Sequence, residues 1–297
     1  MRRTVEPATL RLSPEQSRES AISRIAQALA SAGLEEPRRE ARLLTLAILA
    51  IPTAELVLHP ETTLGTDADR LAAAATRRIA REPHARITGT REFFGLDIVL
   101  NAATLIPRPE TEILVEATLA HAKKRGLDKQ PARIIDLGTG SGAILCALLS
   151  ELPHGSGVGV DLSSEALAAA RINLETHVGK DRATLVLSNW FGKVEGRFEI
   201  IVSNPPYIPG AEIAGLEPEV AHHDPRLALD GGTDGLDAYR VLASTISSSL
   251  AIGGFAALEL GAGQAQSVSA MVVDAGMHIL ELRQDLAGID RVLVIAN

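Results

Sequence analysis

The sequence predicts an α/β fold: a mostly parallel sheet covered by helices, preceded by a small all-helical region. From residue 132 onward, short apolar runs alternate with segments of helical period, as in a parallel sheet buried on both faces. A glycine-rich turn, Gly138-Thr139-Gly140-Ser141-Gly142, follows the first run, and no strand pattern interrupts residues 13–83. Aromatic residues make up only 3% of the 297-residue chain and hydrophobic residues 46%, so the core must be aliphatic. A formal net charge of −8 argues against a primary nucleic-acid binder, because phosphate contacts need clustered Lys and Arg. The one cysteine, Cys146, sits in an apolar helical run; with no disulfide framework possible, a reducing cytoplasm is expected. The longest apolar run, residues 43–51, is stopped by Pro52, too short to span a membrane. Met1-Arg2-Arg3 has no apolar core behind it, and Glu6, Glu15 and Glu19 count against a mitochondrial presequence.

Ser13-Pro14-Glu15-Gln16 has the form of a capping box, and Ala21, Ile22, Ile25, Ala26 and Leu29 share the inner face of the helix it predicts. Gly33 stops that helix, and further helices are expected over 36–49, 53–58 and from Thr66, the last turning Leu71, Ala75 and Ile79 inward. Arg38, Arg39, Arg77, Arg78 and Arg81 read as a solvated face, with partner docking as the alternative. Residues 93–100 predict a β-hairpin. Next, Leu105-Ile106-Pro107-Arg108-Pro109-Glu110-Thr111-Glu112 forms a proline-stiffened linker into a helix over 111–122. Its charges Arg108, Glu110 and Glu112 either pair with one another or line a cofactor entrance. The expected domains are thus 1–86, a helical bundle; 87–112, hairpin and linker; and 113–297, the sheet domain. Strands are expected over 133–136, 157–161, 183–187, 198–203 and 255–259, with a closing antiparallel pair over 278–282 and 291–296.

The candidate chemistry lies at strand ends, where open α/β sheets bind ligands. Glycines 138, 140 and 142 allow a tight turn and close backbone approach, but their spacing lacks the third glycine of a dinucleotide loop. Asp136 would repel a pyrophosphate, yet could sit near a sulfonium or hold an ammonium through water. Asp161, ending the second strand, can accept both hydroxyls of a ribose, with an N-cap role as the plainer reading. Asn189 suits the exocyclic edge of an adenine; Trp190 suits its ring face or serves as a core aromatic. The strand over 198–203 runs into Asn204-Pro205-Pro206-Tyr207, whose two prolines must end it. The resulting hook offers carbonyl oxygens and few N–H groups, suiting a substrate that brings N–H donors or a nitrogen that becomes positive. His222-His223-Asp224 is a weak metal candidate, with no third histidine at ligand spacing.

Residues 136–142, Asp161 and Asn204-Pro205-Pro206-Tyr207 together resemble a Rossmann-like S-adenosylmethionine methyltransferase acting on an amide or exocyclic nitrogen. More narrowly, the linker over 105–112 resembles that of the HemK/PrmC family. The match continues in Glu217-Pro218, in residues 228–236, in Leu258-Glu259-Leu260-Gly261 with Gln264, and in residues 285–291, so it covers nearly the whole chain. The family often carries an acidic residue where this chain has Asn189, and commonly an aromatic ring where it has Arg86.

The resemblance implies an S-adenosylmethionine-dependent enzyme, leaving S-adenosylhomocysteine, that methylates the glutamine amide in the Gly-Gly-Gln motif of peptide-chain release factors. The helical bundle would dock the substrate. Asp136, Gly138, Thr139, Gly140, Ser141, Gly142, Asp161, Asn189, Trp190 and Asn204 would hold the cofactor; Asn204, Pro205, Pro206 and Tyr207 would hold the substrate. Catalysis would fall to Asn204, Pro205 and Tyr207: the Asn204 oxygen and the Pro205 carbonyl accept both amide N–H bonds, and Tyr207 packs on the amide face. No metal, membrane or direct nucleic-acid substrate is expected, and the location is cytoplasmic. Competing readings are a nucleic-acid amino methyltransferase, a nicotinamide dehydrogenase and a silent adaptor.

Overall fold

In the computed structural model, which describes residues 10–297, the first helix α1 (Arg18–Ser31) starts later than the Ser13 signal predicts. Ser17 caps it instead, its hydroxyl accepting from Ser20 N at 3.3 Å. The backbone of residues 14–16 is spent elsewhere: Pro14 O and Gln16 O accept from Gly65 N and Leu64 N. Met1-Arg2-Arg3 and Glu6 lie outside the described residues. The chain divides into two units, Met1–Gly89 and Thr90–Asn297.

The first unit contains α1, α2 (Pro37–Leu49), α3 (Thr53–Leu58), α4 (Ala68–Ile79) and α5 (His84–Thr88). Ile22, Ile25, Leu29, Leu44, Leu71 and Ala75 are fully buried, matching the face read from helical periodicity. Of the arginines expected as a solvated face, Arg38, Arg39 and Arg77 are exposed and hold surface ion pairs, whereas Arg78 is buried. Arg78 is buried on Glu40 at 2.9 Å, Arg39 pairs with Glu36, Arg38 with Glu19, and Arg77 with Glu82. Arg86 lies on α5, which runs past the bundle boundary expected at residue 86; Gly89, at φ +79°, closes it.

The second unit opens with the hairpin of β1 (Thr90–Phe93) and β2 (Leu96–Val99). Its two-residue turn puts both Phe94 and Gly95 at positive φ, a twist that suits a tight hairpin. Glu112, at the start of α6 (Glu112–Lys124), accepts from Phe94 N at 3.1 Å and holds that non-glycine residue in place.

There follow β3 (Ala132–Leu137), α7 (Ala143–Glu151), β4 (Gly155–Asp161), α8 (Ser164–His177), β5 (Ala183–Leu187) and β6 (Phe198–Ser203). Two short helices, α9 (Pro218–Ala221) and α10 (Arg226–Leu229), lead to α11 (Asp237–Ser249), β7 (Leu250–Glu259), α12 (Ala265–Asp274), β8 (His278–Gln284) and β9 (Asp290–Ala296). The strand order is β5-β4-β3-β6-β7-β9-β8. The first five of these are parallel, while β9 runs antiparallel to both β7 and β8, which gives the expected antiparallel edge. Helices α6, α7 and α8 pack side by side as one layer, α11 and α12 as another.

The chain steps outward from β3 to β5, then returns to the other side of β3 with β6. Strand order therefore reverses between β3 and β6, and a ligand crevice opens at their carboxyl ends.

Asn173 on α8 joins the hairpin to the loop after β3. Its amide donates to Val99 O (2.9 Å) and Ser141 O (2.8 Å) and accepts from Val99 N (2.8 Å), with the residue 1% exposed. Asn173→Ala leaves those backbone groups without partners, each costing about 1–3 kcal/mol where water cannot replace them. The expected outcome in chemical denaturation is a loss of roughly 2–4 kcal/mol.

Candidate active site

Register brings the site residues to one rim. Asp136 lies beside Val202 across β3 and β6, and Ser203 lies beside Leu258 across β6 and β7. The next residues, Asn204 and Glu259, are therefore neighbours where their strands end. Ser203 Oγ donates to Leu137 O at 2.7 Å, fastening β6 to the start of the glycine loop.

Pro205-Pro206 stops β6 at Ser203, as the loss of backbone donors requires. The hook is gripped from behind. Gln264 Nε2 donates to Tyr207 O (2.9 Å) and Gly235 O (3.2 Å), while its Oε1 accepts from Gly261 N (3.1 Å). Ile208 N donates to Leu229 O and Gly231 N to Ile208 O. A Cβ on Gly231 would stand 2.9 Å from Pro206 O, so residues 228–236 press flush against the hook. Asn204 itself donates from Nδ2 to Thr111 Oγ1 at 3.3 Å.

In the glycine loop, Gly138 N and Thr139 N both donate to Val160 O, and Gly138, Gly140 and Gly142 all have positive φ. A Cβ at Gly138 or Gly140 would meet no protein atom within 4 Å, whereas one at Gly142 would press on Ala170 at 3.2 Å. Asp161 accepts from Gly140 N (2.8 Å) and Ser163 N (2.9 Å). Ser163, not Asp161, is the N-cap of α8.

A cavity of about 200 Å³ opens here. Gly138, Thr139, Gly140, Ser141, Asp161, Asn189, Trp190, Asn204 and Pro206 line it; Asp136, Gly142, Pro205 and Tyr207 do not. Trp190 lines the cavity and packs on the sheet core, in a backbone conformation (φ +47°) uncommon for a large residue. Phe93, Leu105, Arg108, Thr111 and Leu227 complete much of the wall.

Two carboxyls at the site are held out of water. Burial pushes Asp136 up to about 7; the Thr139 hydroxyl, 2.6 Å from Oδ2, opposes this and the Asp161 charge adds to it. Asp136 Oδ1 has no hydrogen-bond partner. Burial likewise pushes Glu259 up to about 7, and its Oε2 is also without a partner. Burial raises the Tyr207 phenol too, keeping it neutral.

The linker charges do not pair with one another. Arg108 reaches Asp224 at 2.7 Å, and Glu112 holds the hairpin turn. Asp224 is thereby an ion-pair partner with a fully buried side chain. Among the described residues no group of three or more His, Cys, Asp or Glu could hold a metal. Sequence reading missed Thr111 and Asn173 as site-shaping residues. For Thr111 the only local signal was its place at the end of the linker motif.

Comparison with known proteins gives a consistent picture. Residues 20–89 match the family described as PrmC N-terminal domain, and residues 111–223 the family described as Methyltransferase small domain. A release factor glutamine methyltransferase of Bradyrhizobium diazoefficiens is 48% identical over 278 residues, covering 93% of either chain. Another, of Rhodospirillum rubrum, is 44% identical over 95% of this chain and 87% of its own. Among solved structures, the hMettl16 catalytic domain in complex with MAT2A 3'UTR hairpin 6 is alike in fold. Its TM-score is 0.54 at 16% identity, covering 77% of this chain and 81% of that one.

Asp136 offers a stability test. Its folded-state value near 7 lies above its ordinary 3.8, so the folded chain holds a proton there that the unfolded chain releases. Stability from this group is present below the lower value and is lost as pH rises through the higher one. Asp136→Asn keeps an acceptor for Thr139 without the buried charge. The variant's unfolding temperature, relative to the parent, is expected to rise progressively from about pH 4 to about pH 8.

Proposed function

The chain belongs to the release factor glutamine methyltransferase family, and on that premise we propose that it methylates the Gly-Gly-Gln glutamine of peptide-chain release factors. The methyl group goes from S-adenosylmethionine to the side-chain amide nitrogen. The observation that carries this reading is the placing of Asn204 on the wall of the same cavity as the glycine loop, with its Nδ2 engaged by Thr111. That engagement leaves Oδ1 as an acceptor for the N–H of a carboxamide.

The residues present fit the methyl donor. The cavity wall carries Asp161, Asp230, which Arg226 pairs at 3.1 Å, and the cation Arg108, which Asp224 pairs, so Asp161 is the wall carboxylate without an arginine partner. Such a wall suits a cationic sulfonium and disfavours a pyrophosphate. The orphaned Oδ1 of buried Asp136 is an acceptor without a protein donor beneath the loop, which suits an ammonium reached through water. When bound, S-adenosylmethionine supplies an electrophilic methyl carbon on positive sulfur.

The protein's part is binding, orientation and charge stabilisation. Asp161, with spare lone pairs on both oxygens, accepts the ribose hydroxyls. Asn189 meets the exocyclic edge of the adenine and Trp190 walls its ring. Asn204 Oδ1 and the Pro205 carbonyl accept the two amide N–H bonds, which turns the nitrogen lone pair outward and stabilises positive charge growing there. Preorganised dipoles of this kind need no rearrangement during reaction. Tyr207, kept neutral by burial, packs on the amide face. The methylated, positively charged amide loses its proton readily, so no strong base is required.

The first unit serves in this reading as the docking body for the release factor, and a cytoplasmic location follows from the substrate. A nucleic-acid substrate is disfavoured by the net charge of −8.

The direct test is mass spectrometry of release factor incubated with protein and methyl donor, expecting one added methyl on the Gly-Gly-Gln glutamine. Asn204→Ala is expected to lower kcat by about 10²–10³ while donor affinity, measured by titration calorimetry, stays near parental. A normal kcat at saturation would remove Asn204 from the mechanism. Asp161→Ala is expected to weaken donor binding; an unchanged Kd would sink the ribose assignment.

A further inference from the structure

The acceptor role of Asn204 requires its amide to point one way, nitrogen inward and oxygen toward the cavity. Thr111 cannot impose that alone. A threonine hydroxyl both donates and accepts, so Oγ1 could equally take a proton from Nδ2 or give one to Oδ1. A further group has to break the tie.

Glu259 is placed to do so. It follows Leu258, which pairs with Ser203, so Glu259 and Asn204 leave adjacent parallel strands side by side. It is 1% exposed, and Oε2 has no partner. Thr111 and Asn204 both stand close enough to Glu259 to favour its charged form. An ionised carboxylate can only accept. Beside one, Thr111 must spend its proton on the carboxylate, which leaves only its lone pairs for Asn204 Nδ2.

We propose that Glu259 is the positioning residue for Asn204: acting through and alongside Thr111, its carboxylate fixes Asn204 Nδ2 inward and so aims Oδ1 at the substrate amide. Glu259 is 1% exposed and lines none of the cavity, and in this proposal its effect on the reaction runs through Asn204. The proposal rests on the acceptor reading of Asn204.

Ionisation matters because a protonated Glu259 can donate, and the tie returns. Burial raises its value to about 7, opposed by the Thr111 hydroxyl, increased by Glu110, and opposed again by Arg291 and the Asn204 amide. Tyr207 and Tyr239 also face it, both held neutral by burial. The parental kcat should therefore fall as pH drops through about 7.

The experiment measures kcat, KM and donor Kd across that pH range for the parent, Glu259→Gln, Asn204→Ala and the double variant. Glu259→Gln is isosteric but both donates and accepts. It is expected to lower kcat about 10–100-fold, leave donor Kd unchanged and flatten the acidic limb. The double variant is expected to be no slower than Asn204→Ala. A parental kcat and pH profile for Glu259→Gln, or a further loss on adding it to Asn204→Ala, overturns the proposal. A parental kcat for Asn204→Ala instead overturns the acceptor reading itself. If Glu259→Gln fails to fold by circular dichroism, Thr111→Val carries the test: kcat falls and Thr111→Ser restores it, whereas a parental Thr111→Val overturns the proposal.

Discussion

Ser203 Oγ donates to Leu137 O at 2.7 Å, and that single buried bond fastens the last residue of β6 to the last residue of β3 across the point where strand order reverses. Everything at the rim inherits its position from there. The next residue on β3 opens the glycine loop, and the next on β6 is Asn204. Pro205 and Pro206 make the fastening final, because the chain cannot pair onward past them. An asparagine on a longer, frayed strand would sample several directions. One residue before a proline corner, with its strand end tied on both sides, it has few.

The same rim is costly to fold. Asp136 and Glu259 are buried carboxyls that burial lifts toward 7, each with an oxygen lacking a partner. Buried polar groups are normally paired, and unpaired ones concentrate where function needs them. The stability is recovered elsewhere, in the aliphatic core under β3, β6 and β7, where Ile134, Ile135, Ile200, Ile201, Ala256 and Ala257 are fully buried. Rigid strands can carry a strained, polar edge because their centres are dry and tightly packed.

Periodicity made the sheet legible. The alternating runs gave the strands, the antiparallel edge and the glycine loop, and the double proline marked the end of β6. What stayed hidden depends on pairs distant in sequence. Ser13 looked like the cap of α1, but residues 64 and 65 engage the backbone just behind it and leave that task to Ser17. Arg78 looked solvated because its charge said so, yet it is buried on Glu40. Thr111, Asn173 and Glu259 come from separate elements, and no local pattern tells that their polar atoms face one loop or one hook. Residues 228–236 read as a match to a family without a role; their glycines are needed because Gly231 and Gly235 have no room for a side chain against the backbone of the hook.

The linker is the clearest case of a connection that is part of the site. Arg108 pairs with Asp224 and stands on the cavity wall; Thr111 takes Asn204 Nδ2; Glu112 holds the hairpin turn at Phe94. Three residues within the short span 108–112 thus touch the far segment, the hook and the hairpin. Pro107 and Pro109 fix the backbone on either side of Arg108, so the three contacts share one rigid frame rather than three independent ones. A flexible linker would have to order itself for each contact, at roughly 1–2 kcal/mol per residue fixed. Stiffening it beforehand moves that cost into folding and leaves Thr111 already placed against Asn204.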